Sequence, residues 1–261
     1  MKLGSSISAV VTGGASGLGA ATAELLAAHG VKVAVLDANS DTGEKHAQAI
    51  GGRFFHCDVT DAGKVDAALA GAREAHGAAR LVVNCAGIAI GKRTARRDRD
   101  SGTTEPHDIA SFERVIAINL IGTFSVMSRA AAAMMTLDPL DDSGERGVII
   151  NTSSVAAEDG QIGQVAYAAS KGGVAAMTLP VARDLSSHGI RVMAIMPGLF
   201  ETPMFAGLPD EARQALTVNV PFPPRLGYPA EYAMLVKQIC ENPMLNGSCI
   251  RLDGAIRLPL R

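Results

Sequence analysis

Bulk charge is the first thing this sequence lacks. Its 24 Lys and Arg stand against 26 Asp and Glu, giving a formal net charge of −2 and a pI near 6.3. No global positive field exists to hold nucleic acid or an anionic membrane. Four cysteines, Cys57, Cys85, Cys240 and Cys249, show neither a CxxC pair nor Cys/His ligand spacing, which indicates neither a metal site nor a disulfide framework. Long hydrophobic runs are also missing. No apolar stretch approaches the roughly 20 residues of a membrane span, and the first apolar run, ISAVV (7–11), is too short for a signal-peptide core. The expectation is a protein of a reducing compartment, most simply cytoplasmic, whose partners are local and specific: no nucleic acid and no membrane.

What is present is enough for one large core: 261 residues, 48% hydrophobic and 19% charged. Short apolar runs at 7–11, 31–36, 53–57, 80–84, 147–151 and 190–195 read as strands. Longer segments at 17–29, 40–50, 62–76, 109–135 and 166–187 read as helices. Strand and helix alternate, and the strands are apolar on both faces. That pattern predicts an α/β fold, a Rossmann-like doubly wound parallel sheet with helices on both faces. A single domain over 1–261 is expected, with 91–108 as a polar surface loop and the proline-rich 197–228 as a substrate lid.

The turn after the first strand, VVTGGASGLG, places Gly13, Gly17 and Gly19 where a helix begins. Glycines there let backbone approach a pyrophosphate, and the helix N-terminus offers unpaired N–H groups. A tight turn alone also needs glycine. Asp37, eighteen residues after Gly19 at the end of the second strand, is placed to accept from both adenosine ribose hydroxyls and to repel a 2′-phosphate, which selects NAD. Asp58 and Val59 close the third strand and Cys85 follows the fourth, where this architecture binds ligands. Cys57 and Cys85 read as small buried groups without redox work.

Tyr167 and Lys171 in YAASK are four apart on a helix and so share a face. A neighbouring ammonium is expected to lower the phenol from its usual pKa near 10, making a general acid/base. Ser154, thirteen residues upstream at a strand end, is placed to donate to a substrate oxygen, with Ser153 facing the other way. Asn119, polar among apolar neighbours in AINLIG, is expected to distort its helix and anchor a water near Lys171.

These residues, with NCAG (84–87) and PGLFET (197–202), resemble the short-chain dehydrogenase/reductase superfamily across essentially the whole chain. The stretches GVIINTSSVAAEDGQIGQVAYAASKGG, ARDLSSHGIRVMAIMPGLFETPM and LNGSCIRLDGAIR resemble its type II 3-hydroxyacyl-CoA dehydrogenases, also called 17β-hydroxysteroid dehydrogenases type 10. The resemblance implies an NAD-dependent oxidoreductase of fatty acid metabolism acting on a 3-hydroxyacyl-CoA, and commonly a homotetramer. It implies Tyr167 exchanging the proton, Lys171 also holding the nicotinamide ribose, Ser154 fixing the substrate oxygen and Asn119 completing a proton relay. It implies cofactor contacts from Ser16, Leu18, Asp37, Asp58, Val59, Cys85, Phe200 and Thr202, the last two on the carboxamide side. Gln161 and Gln164 are expected near the acyl or pantetheine portion. The basic run KRTARRDR (92–99) is either a coenzyme A phosphate contact or a solvated loop. Alternative readings are a dehydrogenase of another alcohol or carbonyl, such as a hydroxysteroid or a 3-ketoacyl carrier protein, and a dinucleotide-binding regulator without chemistry.

Overall fold

A computed structural model describes residues 1–203 and 217–260. Strands β1 (Ser8–Thr12), β2 (Lys32–Asp37), β3 (Arg53–His56), β4 (Leu81–Asn84), β7 (Gly147–Thr152), β8 (Ile190–Pro197) and β9 (Cys249–Leu252) form one seven-stranded sheet in the order β3-β2-β1-β4-β7-β8-β9. All pairings in it are parallel. Alternate residues go to opposite faces, so Val33, Val35, Val148 and Ile150 join one core while Ala34, Leu36 and Ile149 join the other. Helix α1 (Gly17–Ala28) and helix α7 (Pro229–Glu241) bury Ala23, Leu26, Tyr232, Val236 and Ile239 against the first face. Helices α3 (Ala62–His76) and α5 (Thr123–Met134) bury Val65, Ala68, Val126, Met127 and Met134 against the second, joined by Ala182 of α6 (Val165–Asp184). Helix α2 (Ser40–Ala49) follows β2. Strand order reverses between β1 and β4, which opens a crevice at the carboxyl ends of those strands.

The doubly wound architecture is as the alternation predicts, and four details differ. Strand β9 and helix α7 are additional, because CIRL is short and α7 carries Glu231, Lys237 and Glu241 among its apolar positions. Region 91–108 is no loop: β5 (Ala95–Arg97) and β6 (Thr104–Pro106) pair as an exposed antiparallel ribbon. The long helix is interrupted, with α4 (Ile109–Ile116) passing through a π-helical turn, Ala117–Gly122, into α5. That run, Ile109–Met134, is long and apolar enough to cross a membrane by length and composition, so the expectation that no stretch approaches that length fails here. The sheet accounts for its apolar side, since Val126, Met127, Ala130 and Met134 pack into the core. Of the expected lid, 204–216 lies outside the described residues. Its flanks are tied together by a parallel bridge between Phe200 and Gly227, and Leu199, Val220 and Leu226 pack on Ile256.

Glu158 and Asp159, just beyond Ser154, have a structural partner. Arg251 of β9 donates to both of them and, through Nε, to Asp253 Oδ2 at 2.8 Å. The same guanidinium donates to the Ile256 carbonyl at 3.0 Å, so one cation joins the loop after Ser154 to the segment after β9. Replacing it leaves Glu158 and Asp159 without that cation and Asp253 with Arg257 Nη1 at 3.3 Å as its remaining cation. Arg251→Met should lower unfolding free energy by about 2–4 kcal/mol in urea denaturation. An unchanged midpoint would make the cluster a solvated surface feature.

Candidate active site

The Gly-rich turn is built so closely that a side chain does not fit at Gly13 or Gly19. A Cβ on Gly19 would lie 2.2 Å from the Gly13 carbonyl oxygen, and one on Gly13, where φ is +61°, would lie 2.7 Å from the Ala86 nitrogen. Ser16 caps α1 without a side-chain bond to the first turn, which leaves those N–H groups facing outward. Asp37 has a task the spacing did not reveal. Its Oδ2 accepts from the Ala15 N–H at 3.1 Å and its Oδ1 from the Asn39 N–H at 2.9 Å, so it ties the turn to the end of β2. Asp58 Oδ1 accepts from the N–H and hydroxyl of Thr60, which hold its carboxyl below the usual range.

A cleft of about 790 Å³ runs along these strand ends. It is lined by Gly13, Ser16, Gly17, Leu18 and Gly19 of the turn, and by Asp37, Asp58, Val59 and Cys85 of the strand ends. Ser154, Gln164, Tyr167 and Lys171 form the wall from β7 and α6, and Phe200 and Thr202 close the end beyond β8. The structure thus gathers every sequence-predicted site residue except Asn119 onto one surface. Asn119 is fully buried behind it: its Oδ1 accepts from Ile88 N–H at 2.8 Å, and its Nδ2 donates to the Ile88 carbonyl at 2.9 Å and Ser170 Oγ at 3.0 Å. Gly87 separates it from Lys171, because a Cβ there would lie 3.2 Å from Asn119 Oδ1 and 3.5 Å from Lys171 Nζ. The expected helix distortion is present as the π-helical turn, a feature frequent at functional sites. Gly122 within it gives way to Val59, whose Cγ2 would be 2.6 Å from a Cβ.

Arg114, Ile118, Thr152 and Leu258 also line the cleft and were not singled out from sequence. Arg114 and Ile118 were findable, being four apart on the helix that carries Asn119. Leu258 was not, since nothing local shows that the chain beyond β9 returns to the cleft. Residues 92–99 do not line it; Lys92 bonds Asp108 and Ser111, and Arg96 faces Asp98.

Tyr167 and Lys171 share a face as expected, with Nζ 5.8 Å from the ring centroid. Lys171 is 4% exposed, and its Nζ donates to the Thr152 carbonyl at 2.7 Å. The expectation that the ammonium lowers the phenol does not hold in this geometry. Burial pushes Tyr167 up from its ordinary value, and the opposing influence is a hydrogen bond with Ser154. Burial likewise lowers Lys171, to about 8. Ser154 Oγ accepts from the Ala156 N–H at 3.1 Å, while Ser153 turns away and donates to the Lys171 carbonyl at 2.8 Å.

The sequence model of the short chain dehydrogenases matches residues 8–213. The chain belongs to the short-chain dehydrogenase family. This dehydrogenase is 52% identical over 252 residues to the 3-hydroxyacyl-CoA dehydrogenase type-2 of Rattus norvegicus, covering 96% of this chain and 95% of the relative. It is 38% identical over 250 residues to the ipsdienol dehydrogenase of Ips pini, covering 95% and 96%. A crystal structure of 3-hydroxyacyl-CoA dehydrogenase type-2 from Mycobacterium avium superposes with a TM-score of 0.91 at 39% identity, covering 98% of this chain and 97% of that one.

The lowered Lys171 value has a stability consequence. Because it lies below the 10.5 of a free lysine, the folded chain binds fewer protons than the unfolded chain between about pH 8 and 10.5. Stability should therefore rise with pH across that window. Below it the buried cation costs its full amount, on the order of 3 kcal/mol. In the cofactor-free dehydrogenase Lys171→Met should be more stable than wild type at pH 7 by about 2 kcal/mol, with the gap closing toward pH 10.5. Chemical denaturation across that range checks it, and a variant less stable than wild type at pH 7 would contradict it.

Proposed function

We propose that this dehydrogenase transfers a hydride between NAD and C3 of a 3-hydroxyacyl-CoA, interconverting the 3-hydroxyacyl and 3-oxoacyl thioesters. The observation that carries the reading is the single cleft in which Tyr167, Ser154 and Lys171 face a Gly-rich turn that fits a pyrophosphate. The turn has no room for a side chain at Gly13 or Gly19, and the open end of α1 and the Asp37 carboxylate stand beside it. The names of relatives that match over nearly the full length supply the substrate class.

When bound, the dinucleotide would accept or donate the hydride at its nicotinamide ring. The protein's own residues handle the oxygen and its proton. Ser154 donates to the substrate oxygen at C3, and Tyr167, on the same wall, takes the hydroxyl proton as the C3–H bond breaks or returns it in reduction. Ligand binding would also bring Lys171 to the nicotinamide ribose, a polar partner that adds to Thr152 and favours its charged form. Asn119, which pins Ile88 and Ser170 behind Lys171, is the proposed inner end of the proton route. Gln161 and Gln164 bond one another at 3.2 Å and form the polar wall for the thioester and pantetheine, closed by Leu258. No coenzyme A contact is assigned to the basic ribbon. Ile121, Phe124, Val165 and Leu179 expose apolar side chains on α5, α6 and the π-helical turn, which supports a homotetramer.

NADH absorbance with acetoacetyl-CoA, alongside simple ketones and ketosteroids, tests the reading. Acetoacetyl-CoA should be the best of the panel, and no turnover of it would overturn the assignment. Tyr167→Phe should lower kcat by a factor of about 10² to 10⁴ and leave NADH binding nearly intact; near wild-type turnover would remove the mechanism.

Asp37 generates a separate expectation. Two N–H bonds fix its carboxylate where a 2′-phosphate would be repelled. NADH should exceed NADPH in kcat/KM by about 100-fold or more, a difference of roughly 2.7 kcal/mol. Equal values would show that the carboxylate serves only the turn.

A further inference from the structure

Tyr232 of α7 is fully buried, yet its hydroxyl ends beside the catalytic wall rather than in the apolar core that holds its ring. It lies 2.7 Å from Thr152 Oγ1. Thr152 Oγ1 donates to Cys85 Sγ at 3.5 Å, and the Cys85 thiol donates to Tyr232 Oη at 3.7 Å. Those two directions leave the Tyr232 proton for Thr152, so the three groups form a closed ring in which each donates once and accepts once. Thr152 is also the residue whose carbonyl receives the Lys171 ammonium.

We infer that Tyr232 is a positioning residue for the reaction: through this ring with Thr152 and Cys85 it fixes the carbonyl on which the Lys171 ammonium rests. The inference rests on the role proposed above for Lys171. The ring crosses the sheet. Tyr232 comes from the layer of α1 and α7, Thr152 and Cys85 stand at the ends of β7 and β4, and Lys171 comes from α6 in the opposite layer. Tyr232 is itself held firmly. Its neighbour Glu231 accepts from the Tyr228 N–H at 2.7 Å and from both terminal nitrogens of Arg225 at 2.7 and 3.0 Å, which locks the start of α7 to the chain entering it.

A buried tyrosine needs some partner for its hydroxyl, and any acceptor would satisfy that need. What separates positioning from simple satisfaction is the partner: two groups on the cleft surface, one of them in the residue that anchors Lys171. The titratable groups facing Lys171 are Tyr167 on its own helix and Cys85 from β4, with Tyr232 behind Cys85 and Thr152. Phenylalanine at 232 would fill the same space and open the ring. Thr152→Val opens it from the other side while a backbone carbonyl is still present to accept from Lys171, so any effect comes from the lost ring. A displacement of about 1 Å at a reacting centre can cost on the order of 10²-fold in rate.

The test compares wild type, Tyr232→Phe, Thr152→Val and the double variant by two readouts: NADH affinity from cofactor fluorescence, and the pH dependence of kcat/KM for acetoacetyl-CoA reduction. Each single variant should bind NADH several-fold more weakly and lose about tenfold in kcat/KM. Each should also move the basic limb to lower pH by about half a unit, because an ammonium with a poorer acceptor releases its proton sooner. The double variant should be no worse than either single, since one ring is opened once. A wild-type limb and NADH affinity in Tyr232→Phe, or fully additive losses in the double, would overturn the inference. If Tyr232→Phe does not fold, Thr152→Val alone decides by the same two readouts. Failure of the substrate reading shows separately, as wild type that binds NADH and leaves acetoacetyl-CoA unchanged.

Discussion

The burial of one ammonium organises this molecule's chemistry. The Lys171 ammonium sits at the carboxyl end of β7, where among the described residues its one acceptor is the Thr152 carbonyl, and its charged form is disfavoured there. A polar ligand that gave it further partners would offset that cost, so the site is arranged to gain from being filled. The same burial acts in the opposite sense on Tyr167, whose neutral phenol is favoured. Burial thus favours the neutral phenol, while Lys171, lowered only to about 8, is still mainly an ammonium at pH 7, and the tuning that a Tyr/Lys pair suggests depends on what enters the cleft.

Close packing around that charge explains the backbone irregularities. The π-helical turn directs the Asn119 amide onto Ile88 and Ser170, and the turn's last residue must be glycine for Val59 to fit. Gly87 leaves the gap between Asn119 and Lys171, Gly13 lets the first turn pass against the end of β4, and Gly19 lets α1 start against Gly13. Each is a place where backbone must come closer than a side chain permits. The π-helical turn and these four glycines lie around one cleft, while the sheet beneath it is regular.

Much of this was legible in the sequence, and what was not has identifiable causes. Strands buried on both faces announce themselves as apolar runs, so β1, β2, β4, β7 and β8 were readable to within a residue or two. Edge strand β9 is four residues long and half-buried, and α7 mixes charges into its pattern, so neither stood out. The site residues were legible because strand ends and helix faces converge at a switch point, and those positions can be counted along a chain. The pairing of Glu158 and Asp159 with Arg251 and the meeting of Tyr232 with Thr152 span 80 or more residues, and no local pattern encodes them. The direction of the phenol's shift is not legible for a related reason: spacing gives direction along a helix, whereas the sign of the shift depends on burial from all sides.

In the proposed reaction the cleft brings a dihydronicotinamide against the carbon whose oxygen Ser154 and Tyr167 hold. Isotope tracing addresses it most directly. NADH carrying deuterium on the transferring face of the nicotinamide C4 should yield, with acetoacetyl-CoA, a 3-hydroxybutyryl-CoA bearing that deuterium at C3, as read by mass spectrometry. A product formed without the label from either face of C4 would contradict the account.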